Sequence, residues 1–353
     1  MLIVAWALSG SIGAEELAVR SCAVDLGGPV HYVEFGDQQG DPAIVFVHGL
    51  GGSWLIWSEV APTLARRARV LAIDLAGFGR TPLAGRSASV HANQRLLGQF
   101  LDKVVGGPAV LVGNSMGGTI AVLEAAAHPE RVAGLVLVCP SVPTPAALHS
   151  DREVRRIFAA LSVPGLGPFL LRQRGRRLGQ EGLVREVLQL CCADPGKVSK
   201  AAVQALVDLN LDRARMSWAD TAYLQGARSL VVLHTRGRWR FLQQIRVIDV
   251  PTLLVQGVGD RLASLVAAQQ VARMRPDWTF AVLDGVGHLP MLEDPERFLS
   301  IIGAWLESRV TTGEAARPLP NDPRIRHADA VPLSTIEGGR DVDHTDRGRA
   351  PGS

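Results

Sequence analysis

The sequence predicts an α/β fold: a mostly parallel central sheet flanked by helices, interrupted once by an inserted helical lid. Three observations carry that expectation. Short apolar runs of strand type alternate with longer stretches of helical periodicity, the pattern of a parallel sheet covered by helices. Between residues 143 and 245 the strand rhythm stops and helical periodicity dominates, as in "EVRRIFAAL" and "KAAVQALVDL". The rhythm then resumes, and the key turns fall at the carboxyl ends of predicted strands, where an open α/β sheet builds its site.

Taken in order, residues 1–18 form an N-terminal extension. Its start, "MLIVAWALSGSIGA", is apolar like the later part of a signal peptide, but no Lys or Arg precedes it. The basic opening of such a signal is absent and the run is too short to span a bilayer. The expectation is a loosely packed extension on a cytoplasmic protein, with export by an atypical signal left open. Residues 19–142 make the first part of the core. "LAVRSCAVDL" and "VHYVEFG" read as strands joined by the Gly27–Gly28–Pro29 turn. "AIVFVHG" (43–49) is a buried strand, followed by a glycine loop and a helix over about 54–66. "RVLAIDL" (69–75), "AVLVGN" (109–114) and "VAGLVLVC" (132–139) continue the sheet, with a helix from about Ser115 to Ala127 between the last two.

Residues 143–245 are the lid, broken by "VPGLGP" and "ADPG". The core resumes over 246–309 with strands at "PTLLVQG" and "TFAVLDG" and a last amphipathic helix, capped by Asp294 with Pro295 in its first turn. Residues 310–353 are rich in Pro, Gly, Asp and Arg with few large apolar side chains, so a disordered tail is expected.

Composition bounds the partners. The 353 residues are 47% hydrophobic and 20% charged, as in a soluble globular protein, and the formal net charge is only +3. That balance gives no argument for nucleic acid. The bases are nearly all arginine, and the densest cluster, "RQRGRR" at 172–177, reads as a solvated helix face or loop, with an anionic-lipid or phosphate contact as the alternative. Stable membrane insertion is not expected. The four cysteines (Cys22, Cys139, Cys191, Cys192) have no metal-site spacing, and Cys139, ending an apolar run, reads as a buried inert thiol. Oligomeric state is not legible.

Four stretches point to chemistry. In "LVGNSMGG", Ser115 stands among Gly113, Gly117 and Gly118 where a strand must turn into a helix. Serine and glycine punctuate many turns; the sharper reading is a nucleophile on a strained strand-to-helix elbow. "VHGLGG" (47–52) sets backbone N–H groups at a strand end, able to stabilise an oxyanion. Asp260 lies three residues past Gly257, and His288 lies in a glycine loop before the last helix. Each signal has a bland alternative, a turn residue or a solvated loop. Together they run in the order Ser, Asp, His, each at a strand's carboxyl end.

That order resembles the α/β-hydrolase superfamily, over roughly residues 20–308. "HG" (48–49), "DLAGFGRT" (74–81), "GNSMGG" (113–118), Asp260 in "GVGDRLAS" and "GHLPMLEDP" (287–295) carry the resemblance. It implies Ser115 as nucleophile, His288 as general base and acid, and Asp260 as its orienting partner. It also implies an oxyanion hole from the backbone N–H groups of Leu50 and Met116, and a structural role for Asp74. The implied function is a serine hydrolase cleaving small-molecule carboxylic esters through an acyl-enzyme, requiring no cofactor and no metal. Carbon–carbon hydrolases of ring-cleavage products also resemble "GNSMGG", but commonly follow the histidine with tryptophan where Leu289 stands here. Cofactor-free haloperoxidases share the triad. A non-catalytic binding module of the same fold is the reading from another class.

Overall fold

The computed structural model describes residues 18–38, 40–143, 151–163, 165–308 and 322–327. Among these residues nine strands form one sheet: β1 (Val19–Asp25), β2 (Pro29–Phe35), β3 (Ala43–Val47), β4 (Val70–Ile73), β5 (Ala109–Asn114), β6 (Val132–Val138), β7 (Thr252–Gly257), β8 (Thr279–Leu283) and β9 (Ile325–His327). Their order is β1-β2-β4-β3-β5-β6-β7-β8-β9. From β4 to β8 every neighbouring pair is parallel, and the antiparallel pairings, β1 with β2, β2 with β4 and β8 with β9, lie at the two edges.

The central strands are continuous apolar runs because both faces are covered. Alternate residues serve opposite faces. Val45 and Val47 of β3, Leu111 of β5 and Leu254 of β7 pack with α2 (Val90–Phe100), α3 (Met116–Ala127) and α9 (Leu265–Met274). Ile44, Phe46, Val112 and Val255 pack on the other face with Trp57 and with Phe298, Ile301 and Trp305 of α11 (Pro295–Leu306). Asp294 caps α11 through the Arg297 N–H, with Pro295 in the first turn, as expected from the sequence.

Two expectations need correction. The helix expected over 54–66 is instead a 3₁₀ turn at Trp54–Trp57, capped by Ser53, and a single turn α1 (Ala61–Leu64). Pro62 at the start of α1 has no N–H to donate backward, so no continuous helix can cross it. The tail expected to be disordered from residue 310 contributes β9, antiparallel to β8, with Ile325 buried. A three-residue strand with one buried isoleucine is too short to show as periodicity.

Among the described residues between β6 and β7 are five α-helices: α4 (Arg152–Ser162), α5 (Leu166–Cys191), α6 (Lys200–Arg213), α7 (Ala219–Thr235) and α8 (Arg238–Val247). This helical insertion ends with α8, slightly past the expected boundary at 245. α5 is kinked at Gly179, whose φ of 64° leaves the helical region. No single helix among the described residues is long and apolar enough to cross a membrane. A short α10 (Pro290–Glu293) follows β8.

Candidate active site

Ser115 is the residue between β5 and α3. Its backbone has φ 55° and ψ −118°, a conformation that costs an L-residue energy and persists only where the surroundings enforce it. Backbone packing enforces it here. A Cβ on Gly113 would lie 2.6 Å from the Gly117 carbonyl, and one on Gly117 only 2.2 Å from the Val47 carbonyl oxygen. The start of α3 therefore rests directly on the ends of β3 and β5. Met116 is the first helical residue, and the N–H groups of an opening helical turn have no acceptor within their helix. They and the helix dipole favour negative charge beside Ser115.

The loop after β3 closes on the same point. A Cβ on Gly49 would meet the Ser115 Cβ at 3.0 Å, so this loop packs directly against the serine elbow. His48 fixes the loop's shape. It is fully buried, its Nδ1 donates to the Gly49 carbonyl at 2.7 Å, and its Nε2 accepts from the Leu75 N–H at 3.0 Å. Burial pushes its pKa below the ordinary range, in keeping with that one-donor, one-acceptor imidazole. The ring of Tyr223 on α7 lies 3.0 Å from where a Gly51 Cβ would stand, so the insertion covers this loop.

Asp260 and His288 meet between the loops after β7 and β8. His288 Nδ1 lies 2.8 Å from Asp260 Oδ2, and both side chains are almost completely buried. The other carboxylate oxygen accepts the N–H groups of Leu262 and Ala263, each at 2.8 Å. Gln256, the buried penultimate residue of β7, donates to Asp260 Oδ2 at 3.1 Å and to the Ala263 carbonyl. Asp284, four residues before His288, has its main chain tied elsewhere: its N–H donates to the Arg324 carbonyl and its carbonyl accepts from Arg297.

Several contributors carried no role in the sequence reading. Asn114 Nδ2 donates to the main-chain carbonyls of both Val138 and His288, joining the serine elbow to the histidine loop. Glu293 is buried and accepts the N–H groups of Gly287 at 2.7 Å and Asp194 at 2.9 Å; burial raises its pKa. The His288 N–H donates to the Cys191 carbonyl at 2.6 Å, so the end of α5 is fastened to the histidine loop. Arg261, next to Asp260, pairs with Asp151 at the start of α4 at 2.6 Å. Asn114 and Glu293 lie inside the quoted motifs, and a polar residue there is the available signal. The Cys191 contact is main-chain and leaves none.

Asp74 is buried and accepts from His31, the Trp54 N–H and the Arg80 N–H; burial alone would raise its pKa, but the hydrogen bond and charge of His31 hold it low. It braces the turn rather than facing the histidine. Cys139, Asp260 and His288 place donor atoms within 4.8 Å of one another. Burial first, and then the Asp260 charge, raises the pKa of the Cys139 thiol well above its ordinary range.

Ser115 lies at the carboxyl end of β5, and the buried Asp260–His288 pair lies in the loops after β7 and β8, joined to the serine elbow through Asn114. The chain belongs to the alpha/beta hydrolase family, whose model matches residues 44–301, and it is an enzyme of that fold resembling lipases and esterases. Human (Homo sapiens) monoacylglycerol lipase is 25% identical over 306 residues, covering 80% of this chain and 83% of that protein. The pimeloyl-[acyl-carrier protein] methyl ester esterase of Aeromonas hydrophila is 26% identical over 74% of this chain and 94% of its own. The 2-hydroxy-6-oxo-6-(2'-aminophenyl)hexa-2,4-dienoic acid hydrolase of Metapseudomonas resinovorans is 29% identical over 83% of this chain and 93% of its own.

Proposed function

We propose that the protein is a serine hydrolase of small carboxylic esters, working through an acyl-enzyme on Ser115. The observation that carries this reading is the strained serine at φ 55°, backed by a helix N-terminus and neighbouring a buried Asp–His pair 2.8 Å apart. A serine hydroxyl is a weak nucleophile until a base takes its proton. With Nδ1–H of His288 donating to Asp260, Nε2 is the basic nitrogen left for the serine. Ser115 Oγ attacks the ester carbonyl as His288 takes its proton. The oxyanion is received by the Leu50 and Met116 N–H groups. His288 then protonates the leaving alcohol, and a water activated by the same nitrogen releases the acid.

The helical insertion serves as the lid in this reading and sets the acyl site. Of its apolar residues, Leu161 and Leu188 are buried while Leu166, Phe169 and Leu211 face solvent, so only part of its grease can line a pocket. Each methylene buried there contributes about 0.8 kcal/mol, which favours short-to-medium acyl esters. The similarity to the dienoic acid hydrolase supports a second reading, carbon–carbon bond hydrolysis with the same residues. A series of p-nitrophenyl esters and ring-cleavage dienoates, assayed with wild type and Ser115→Ala, separates them. Ester turnover that climbs with acyl length and vanishes in Ser115→Ala is expected. Faster turnover of the dienoates than of every ester would select the second reading, and activity surviving Ser115→Ala would reject both.

A further inference from the structure

The outer side of the insertion carries charge and apolar area for which the reaction has no use. Residues 221–248 contain five arginines and no aspartate or glutamate, in a chain whose net charge is only +3. Helix α8 shows how they are displayed. Phe241 and Ile245 are buried toward α3. Trp239, Arg240, Gln243, Arg246 and Val247 recur at helical spacing on the opposite side, and all are exposed. Trp239 is 71% exposed and Val247 65%. One corner earlier, at the end of α7, Val232 and Arg236 are exposed four residues apart. The Arg238 guanidinium lies 5.9 Å from the Trp239 ring centre, leaving the indole presented outward. Burial first, then the charges of Arg95 and Arg240, lower the pKa of His91 on α2.

Burying the indole, 71% exposed here, would remove apolar area from water, and among the described residues Arg236, Arg240 and Arg246 form no ion pair, although Asp249 follows close by. At a membrane surface the same set is favourable: the amphipathic indole and valines enter the headgroup region while arginines meet lipid anions. Phosphates of a nucleic acid would satisfy the arginines and leave Val232 and Val247 in water. We propose that the α7–α8 corner docks on an anionic lipid bilayer, peripherally, with Trp239 and Val247 at the headgroups and Arg236, Arg240 and Arg246 on lipid phosphates. Helix α7 also carries Tyr223 against Gly51 and His234 within 3.1 Å of Ser141 Oγ, beside the serine elbow. Docking therefore holds the helix that covers the candidate site at the lipid surface. It is independent of which bond the site breaks.

The test is co-sedimentation of the full-length protein with phosphatidylcholine vesicles, with and without phosphatidylglycerol. Binding confined to the phosphatidylglycerol vesicles and weakened by salt is expected. Near an anionic surface each arginine is worth about fivefold in affinity, so Arg236→Gln with Arg240→Gln should weaken binding roughly 25-fold. Trp239→Ser should weaken it without changing the salt dependence. Melting temperature and turnover of a soluble ester should stay as in wild type, which shows that the variants fold. Wild type that ignores phosphatidylglycerol would overturn the proposal, as would variants that bind the vesicles as well as wild type. A preference for single-stranded RNA over the vesicles, or a Trp239-dependent dimer without vesicle binding, would also overturn it.

Discussion

Removing β9 should destabilise the whole protein, although it comprises three residues far along a tail of low apolar content. Ile325 is only 5% exposed and packs in the cluster that includes Leu283, Phe298 and Trp305. Ile325→Ala deletes buried methyl and methylene groups; such truncations cost about 2–5 kcal/mol, and the lower end suits a site at a sheet edge. The truncated side chain can do no worse than let the tail come away, so that cost is at most the free energy with which the tail is docked. Truncation after Ser308 must then cost at least as much. It also removes the Arg324 carbonyl that accepts from the Asp284 N–H and from the buried Arg297 guanidinium, which keeps the Asp284 carbonyl and Asp294 as partners. It leaves β8 as an open parallel edge. At about 1.5 °C per kcal/mol for a fold of roughly 290 residues, Ile325→Ala should lower the melting temperature by roughly 3–5 °C. Truncation after His327 should change nothing. Thermal unfolding of the four proteins decides it: a Ser308 truncation that melts like the full chain would refute the docked strand.

Asp260→Asn should lower kcat by about four orders of magnitude, while Asp284→Asn keeps most activity, because only the former breaks the pair with His288 Nδ1; ester turnover at saturation measures it. Gly117→Ala should cost more than about 3 kcal/mol by forcing a Cβ against the Val47 carbonyl, whereas Gly303→Ala, with open space around its Cβ, should be neutral or gain up to about 1 kcal/mol; urea denaturation compares them. His48 has a pKa lowered in the fold. The unfolded chain therefore binds its proton first, near pH 6.5, and the associated stability is complete above that pH and lost as pH falls toward the folded value. The melting temperature should decline between roughly pH 7 and pH 5, and His48→Gln should flatten that slope.

What could be read in advance was whatever local chemistry repeats along the chain. β3, β5, β6 and β7 announce themselves as apolar runs because both faces are covered, and α11 because Asp294 and Pro295 mark its start. The glycines around Ser115 were legible for the same reason: a close backbone approach permits nothing larger. What escaped depends on partners distant in sequence. Ile325 is one apolar residue until β8 lies beside it. Glu293 looks like any helix-start acid until Asp194, far back in the insertion, turns its N–H toward it. Pro62 did carry a local signal against a helix over 54–66, and the surrounding apolar pattern hid it.

The adjacency of β6 and β7 has a consequence for how such proteins change. The insertion leaves the sheet after Val138 and rejoins it at Thr252, on neighbouring parallel strands. Its entry and exit points are therefore side by side, and a foreign segment of any length could be spliced between them without altering a single strand register. Recombination could exchange the cover of the site wholesale. One splice would fail. The carbonyl of Cys191 receives the His288 N–H, and Asp194 binds Glu293. A chimera that replaced residues 191–194 would inherit an intact sheet but lose these two ties of the histidine loop. Successful exchanges should therefore retain this short stretch, or bring an equivalent carbonyl of their own.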